Sequence, residues 1–189
     1  MFRVRFHGRG GQGVVTAAEL LSSAAFLDGR HAQAFPSFGS ERTGAPVVSF
    51  CRVDDRAIRS HEPIARPDVI VIQDPTLLHQ VDVFGGLSEH GFVILNTARS
   101  LEDLGLAELL ERFPAGHVCV IAAGELARKH LGRPMPGAPL LGALTAVTNV
   151  TSASSLAAAI RERFPGDLGE ANVAAAEAAR LQVEETFHV

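Results

Sequence analysis

Three short runs, Asp68–Gln73, Phe92–Asn96 and His117–Ala122, carry their apolar residues consecutively rather than in alternation with polar ones. A strand that is apolar on both faces must be covered on both faces, which is the signature of a buried parallel sheet. Helix-prone sequence precedes the second and third runs, at Leu77–Glu89 and Leu101–Phe113. The repeated alternation predicts an α/β fold: a doubly wound, mostly parallel, Rossmann-like sheet with helices on both faces, taking ligands at the carboxyl ends of its strands.

The N-terminus supplies another unit of the same kind. Phe2–His7 alternates apolar and basic residues and runs into Gly8-Arg9-Gly10-Gly11-Gln12-Gly13. From Val14 to Leu27 apolar residues then recur at helical spacing, with Asp28-Gly29 as the stop. Glycines between a strand and a helix permit positive φ and present backbone N–H groups at the positive end of the helix, so the loop reads as an anion cradle. Gly8, Gly10 and Gly13 also fit the spacing of a dinucleotide fingerprint. That reading demands an acid closing the second strand, where this chain has Gln33-Ala34-Phe35-Pro36, and the nearest acid, Asp28, lies before that strand. Gln12, a bulky amide among glycines, is expected to hydrogen-bond a ligand.

A second short strand at Arg30–Phe35 leads into Pro36-Ser37-Phe38-Gly39-Ser40-Glu41-Arg42-Thr43-Gly44-Ala45-Pro46, a stretch too polar and too rich in Gly and Pro for a regular element. A β-prone run, Val47–Val53, follows it. This long loop is expected to face the glycine loop, with Glu41 and Arg42 within reach of a ligand resting there. After a short helix at Glu125–Leu131, the chain is alanine-rich and helical over Leu140–Phe164 and Gly169–Phe187, weakened at Thr148–Thr151. The expected organisation is a single domain over residues 1–189, an α/β core at 1–131 with a helical C-terminal segment at 132–189 packed on it.

With 47% hydrophobic residues and a net charge of −4 without a basic run, nucleic acid is not the expected partner. No apolar run approaches the ~20 residues of a membrane span, no leader is visible, and a cytoplasmic location is the expectation. The two cysteines, Cys51 and Cys119, lie far apart in strand-like runs and read as buried thiols, and the eight histidines lack ligand spacing, so no metal site is expected. No acid, base and nucleophile set is apparent, so no catalytic residue is assigned.

Taken together, the glycine loop, the Pro36–Pro46 stretch before a strand, and Gly132-Arg133-Pro134 leading to Leu141-Gly142-Ala143 resemble the gamma subunit of 2-oxoacid:ferredoxin oxidoreductases, the pyruvate, 2-oxoisovalerate, 2-oxoglutarate and phenylglyoxylate enzymes. The resemblance spans essentially the whole chain. It implies a complex that oxidatively decarboxylates a 2-oxoacid to its acyl-CoA. Thiamine diphosphate, Mg and [4Fe-4S] clusters would reside on alpha, beta and delta-type (ferredoxin-like) subunits, with ferredoxin or an NAD-reducing subunit as acceptor. This chain would contribute to coenzyme A binding and assembly, through Gly10, Gly11, Gln12, Gly13, Ser40, Glu41, Arg42 and Thr43, with Arg9 or Arg42 suited to the phosphates. Many members carry asparagine where this chain has Gly137. The alternative from the residues alone is a free-standing NAD- or FAD-binding module.

Overall fold

The computed structural model describes residues 1–37 and 43–187. Six strands, β1 (Phe2–Arg9), β2 (His31–Pro36), β3 (Pro46–Asp54), β4 (Val69–Ile72), β5 (Phe92–Asn96) and β6 (Val118–Ile121), form one sheet in the order β2-β3-β1-β4-β5-β6. β1, β4, β5 and β6 are parallel, whereas β3 runs antiparallel to both β1 and β2. The sheet is therefore mixed, an α/β fold as its non-alternating runs require, with an antiparallel flank formed by β2 and β3.

α1 (Val14–Leu27) covers one face, joined there by α4 (Gly137–Thr148), α5 (Ala153–Arg163) and α6 (Asp167–Phe187), while α3 (Ala123–Leu131) follows β6. The main core gathers Val4, Phe6, Leu21, Val69, Val71 and Ile94 with Leu140, Leu141, Leu144 and Ala179, so both parts of the chain contribute to it. Asn149, at φ +50°, ends α4 where the Thr148–Thr151 stretch interrupts the helical pattern. α4 and α6 approach so closely that a Cβ on Gly142 would lie 2.0 Å from the carbonyl oxygen of Ala176. Only glycine fits that crossing.

The other face departs from expectation. Instead of long helices at Leu77–Glu89 and Leu101–Phe113 there are a 3₁₀ turn at Pro75–His79, a single-turn α2 (Ala107–Leu110) and irregular chain. Their apolar residues still cover the sheet, Leu77, Val83, Leu104 and Leu110 packing on Ile70, Ile72, Val93 and Leu95. For Leu77–Glu89 the reason lies in β1. Arg5 is 8% exposed, and its guanidinium donates to the carbonyl oxygens of Val83 at 3.0 Å, Gly85 at 2.7 Å and Ile64 at 3.4 Å. Carbonyls pointing at a buried cation are unavailable to a helical ladder. Gly86, at φ +78°, then passes so near Ala65 that a Cβ would sit 1.9 Å from its oxygen. On the antiparallel flank Arg52 does similar work, donating to the carbonyls of Ser60 and Glu62 while its guanidinium stacks 5.0 Å from the Phe35 ring centroid.

Candidate functional site

β1 ends at Arg9, and left-handed φ at Gly11 (+93°) and Gly13 (+73°) turns the chain straight into α1, whose N-cap is Gly13. The first-turn N–H groups of Val14, Val15 and Thr16 thus stand at the carboxyl end of the sheet, where a helix start carries partial positive charge. They border a cleft of about 290 Å³ lined also by Gly10, Gly11, Val47 and Met135. A second cavity, about 130 Å³, shares Gly13, Thr16 and Met135 with it and runs toward Arg133, Gly137 and Asn172.

Residues Thr43–Ala45 meet the glycine loop at Gly10. Gly10 and Thr43 form a parallel bridge, Gly44 N–H donates to Gly10 O at 3.0 Å, and Gly10 N–H donates to Ala45 O at 2.9 Å. Of the residues expected at the site, Gly10, Gly11, Gln12, Gly13 and Thr43 therefore come together. Ser40, Glu41 and Arg42 lie outside the described residues.

Two of these side chains, Gln12 lining the smaller cavity and Arg9 lining the larger cleft, already have partners within the protein. Gln12 is committed to the protein: its Oε1 accepts from Arg9 N–H at 2.7 Å and its Nε2 donates to Asp74 Oδ2 at 2.7 Å. Arg9 is committed as well, with Nε 3.2 Å from Asp74 Oδ2, Nη1 donating to Gly44 O at 3.0 Å, and Nη2 donating to Thr76 Oγ1 at 2.6 Å and Gln80 Oε1 at 2.9 Å. Partial burial raises the Asp74 carboxyl's pKa, but hydrogen bonds from Thr76 and Gln12 and the Arg9 charge outweigh it and hold the group below the usual carboxylate range. Asp74 therefore neutralises Arg9, and the attraction of the cleft for an anion falls to backbone N–H groups. Sequence reasoning overlooked Asp74, although Asp74-Pro75-Thr76 has the pattern of an N-cap followed by proline, and Asp74 Oδ1 does accept from Thr76 N–H at 2.9 Å.

Asp28, the acid nearest to the dinucleotide position, is also spent. It accepts from Thr151 Oγ1 at 2.5 Å, Ser152 N–H and Oγ at 2.7 Å each, and Ser155 Oγ at 2.6 Å, tying the end of α1 to the start of α5. What burial it has raises its pKa, and the four hydrogen bonds overcome this and bring it to about 2. Cys51 and Cys119 are buried, each thiol pushed up to about 12 by desolvation, and among the described residues no three His, Cys, Asp or Glu side chains converge as a metal site would require.

Fold and cleft define an α/β domain with a glycine loop at the carboxyl edge of a mixed sheet. The family model for pyruvate ferredoxin/flavodoxin oxidoreductases matches residues 3–182, and the chain belongs to that family. It is 48% identical over 179 residues to the pyruvate/ketoisovalerate oxidoreductases common subunit gamma of Thermococcus kodakarensis, covering 95% of each chain. To the pyruvate synthase subunit PorC of Methanothermobacter marburgensis it is 45% identical over 188 residues, covering 100% of this chain and 99% of that one. The crystal structure of pyruvate oxidoreductase subunit PORC from Thermotoga maritima superposes with a TM-score of 0.78 at 34% identity, over 95% of each chain. The chain is thus a gamma-type oxidoreductase subunit along its length. At 14% identity and a TM-score of 0.72, 2-oxoglutarate:ferredoxin oxidoreductase from Magnetococcus marinus, a structure with 2-oxoglutarate, coenzyme A and succinyl-CoA bound, shares the fold; the match spans 97% of this chain and 31% of that one.

Proposed function

We propose that this subunit serves a complex that oxidatively decarboxylates a 2-oxoacid of the pyruvate or ketoisovalerate type to its acyl-CoA, and that its own part is to hold coenzyme A and to help assemble the complex. The observation that carries the reading is the cleft at the start of α1, lined by Gly10, which also bridges to Thr43. Phosphate oxygens lying there would accept from the N–H groups of Val14, Val15 and Thr16, and Gly10, Gly11 and Gly13 let them approach without a side chain in the way. Arg9 would act indirectly, holding Gly44 against the 3₁₀ turn so that both loops keep their spacing.

Thiamine diphosphate with Mg, and [4Fe-4S] clusters, would supply the carbon–carbon cleavage and the electron path on alpha, beta and delta-type subunits, and ferredoxin or an NAD-reducing subunit would take the electrons. Two buried thiols are too few for a four-cysteine cluster, which fits that division of labour. Single-domain organisation over 1–189 and a cytoplasmic location belong to the same proposal. A free-standing NAD- or FAD-binding module is disfavoured by the capture of Asp28 at α5.

The test is purification through a tag on this chain. The expected product is a brown, thiamine-dependent assembly that reduces ferredoxin only when coenzyme A and a 2-oxoacid are both present. A colourless chain that never copurifies with other subunits, and that binds NAD but not coenzyme A in calorimetry, would overturn it.

A further inference from the structure

The smaller cavity, about 130 Å³, carries polar groups on its wall that no other part of the described chain uses. α4 begins there. The N–H groups of Gly137 and Ala138 belong to its first turn, where the helical ladder offers no acceptor, and no side chain caps them. Both residues line the cavity, and Ala138 is only 5% exposed. Asn172, from α6, lines it too and is 8% exposed. Its Nδ2 donates to Leu168 O at 2.8 Å, while its Oδ1 receives no hydrogen bond among the described residues. Unlike the hydroxyls of Ser49 and Thr145, that oxygen is not sealed inside the packing, and the space left to it is the cavity that Asn172 lines.

The charge of the wall has one sign. Arg133 stands at the exposed rim, and the Arg163 guanidinium lies 5.2 Å from the ring centroid of Phe164, another wall residue. No carboxylate lines the cavity. Two neighbouring N–H groups at a helix start, beside a guanidinium, select an anion and match the two oxygens of a carboxylate. Asn172 Oδ1 can only accept, so the same ligand must bring a donor. An ammonium group would find no carboxylate to neutralise it, which leaves a hydroxyl. Leu20, Leu131, Met135 and Phe164 give the carbon skeleton an apolar wall. A cavity of about 150 Å³ holds benzene, about six heavy atoms, so a nucleotide is too large for this one. With no Asp, Glu, His, Cys or Lys on its wall, the cavity is equipped to bind and not to react.

We propose that this cavity is a binding site for a short aliphatic hydroxycarboxylate of about three or four carbons. Its carboxylate accepts from the N–H groups of Gly137 and Ala138 and faces Arg133, its hydroxyl donates to Asn172 Oδ1, and its carbons lie against Leu20 and Phe164. The anion sits at the start of α4 and not of α1, so the site stands whatever occupies the larger cleft.

The experiment titrates three probes into the full chain, followed by ligand-observed NMR: 2-hydroxybutyrate, butyrate, which lacks the hydroxyl, and 2-aminobutyrate, which carries an ammonium in its place. Wild type is expected to bind 2-hydroxybutyrate about tenfold or more tightly than either of the others. Asn172→Leu, close in size, removes the acceptor; it should weaken 2-hydroxybutyrate to the level of butyrate and leave butyrate unchanged, a split that a merely structural defect would not produce. Arg133→Gln, on the exposed rim, should weaken both acids by the same factor, and it serves alone should Asn172→Leu not fold. No binding by wild type, equal affinity for the three probes, or unchanged 2-hydroxybutyrate affinity in a folded variant overturns the proposal. Displacement of 2-hydroxybutyrate by coenzyme A would assign the cavity to that coenzyme and overturn it as well.

Discussion

Replacing Gly142 with alanine tests the packing that places the start of α4 beside the cavity. A Cβ there would lie 2.0 Å from Ala176 O, 2.7 Å from its carbonyl carbon and 3.0 Å from its Cα, all backbone atoms of α6. Backbone cannot swing aside as a side chain can, so the helices must part by at least about 1 Å. A radial gap of that size forfeits a quarter to a half of the dispersion energy between the facing layers of α4 and α6. Overpacking of this kind costs about 3 kcal/mol at the upper end of its usual range, offset by about 1 kcal/mol from replacing a mid-helix glycine. The net loss is about 2 kcal/mol, a fall in Tm of about 4–8 °C for a chain of this size. Gly124→Ala is the matched control: it is also helical, but its nearest atoms lie at 3.8–3.9 Å, so it should gain about 0.5–1 kcal/mol. Urea titrations and thermal melts followed by circular dichroism measure both. Equal stabilities for the two variants, or a Gly142→Ala chain as stable as wild type, would refute the reasoning.

Asp28 makes stability depend on acid. Its folded pKa of about 2 lies below the model-peptide value of 3.8, so its contribution is present above about pH 4 and lost as pH falls through 2. Because the residue is exposed, screening reduces that contribution to about 1 kcal/mol; Asp28→Asn should be less stable than wild type at pH 6, with the gap closing near pH 2 in urea titrations across that range. Arg5→Met should strand the carbonyls of Val83 and Gly85 and cost about 2–4 kcal/mol, with amide exchange accelerating first in residues 81–86. Arg42→Ala should raise KM for coenzyme A in the assembled complex by the equivalent of about 1.5–3 kcal/mol if that guanidinium meets a phosphate, and steady-state kinetics with normal assembly would show no change if it does not.

Much of the fold can be read locally. Val69–Ile72 and Val93–Leu95 are apolar on both faces, and they are central parallel strands for that reason. The bounds of α1 follow from Gly13 and Asp28-Gly29, and the interruption between α4 and α5 from Asn149, because turns, caps and left-handed residues act within a few positions. Likewise the glycine loop announced the helix start at Val14.

Partnerships across long separations were not legible. Propensity favours helix at Leu77–Glu89, yet Arg5, some 80 positions earlier, captures the carbonyls such a helix would need. Gln12 and Arg9 have the chemistry of ligand contacts, and only the fold brings Asp74, Thr76 and Gln80 close enough to use them up. Gln73 presents the reverse case: by sequence it is the polar end of a buried strand, and the fold leaves both polar atoms of its carboxamide buried without a partner. Periodicity and turn chemistry determine where elements begin and which faces are apolar. Which polar groups satisfy one another, and which remain for a ligand, is decided by tertiary structure, because a hydrogen bond acts over about 3 Å in space whatever the distance along the chain.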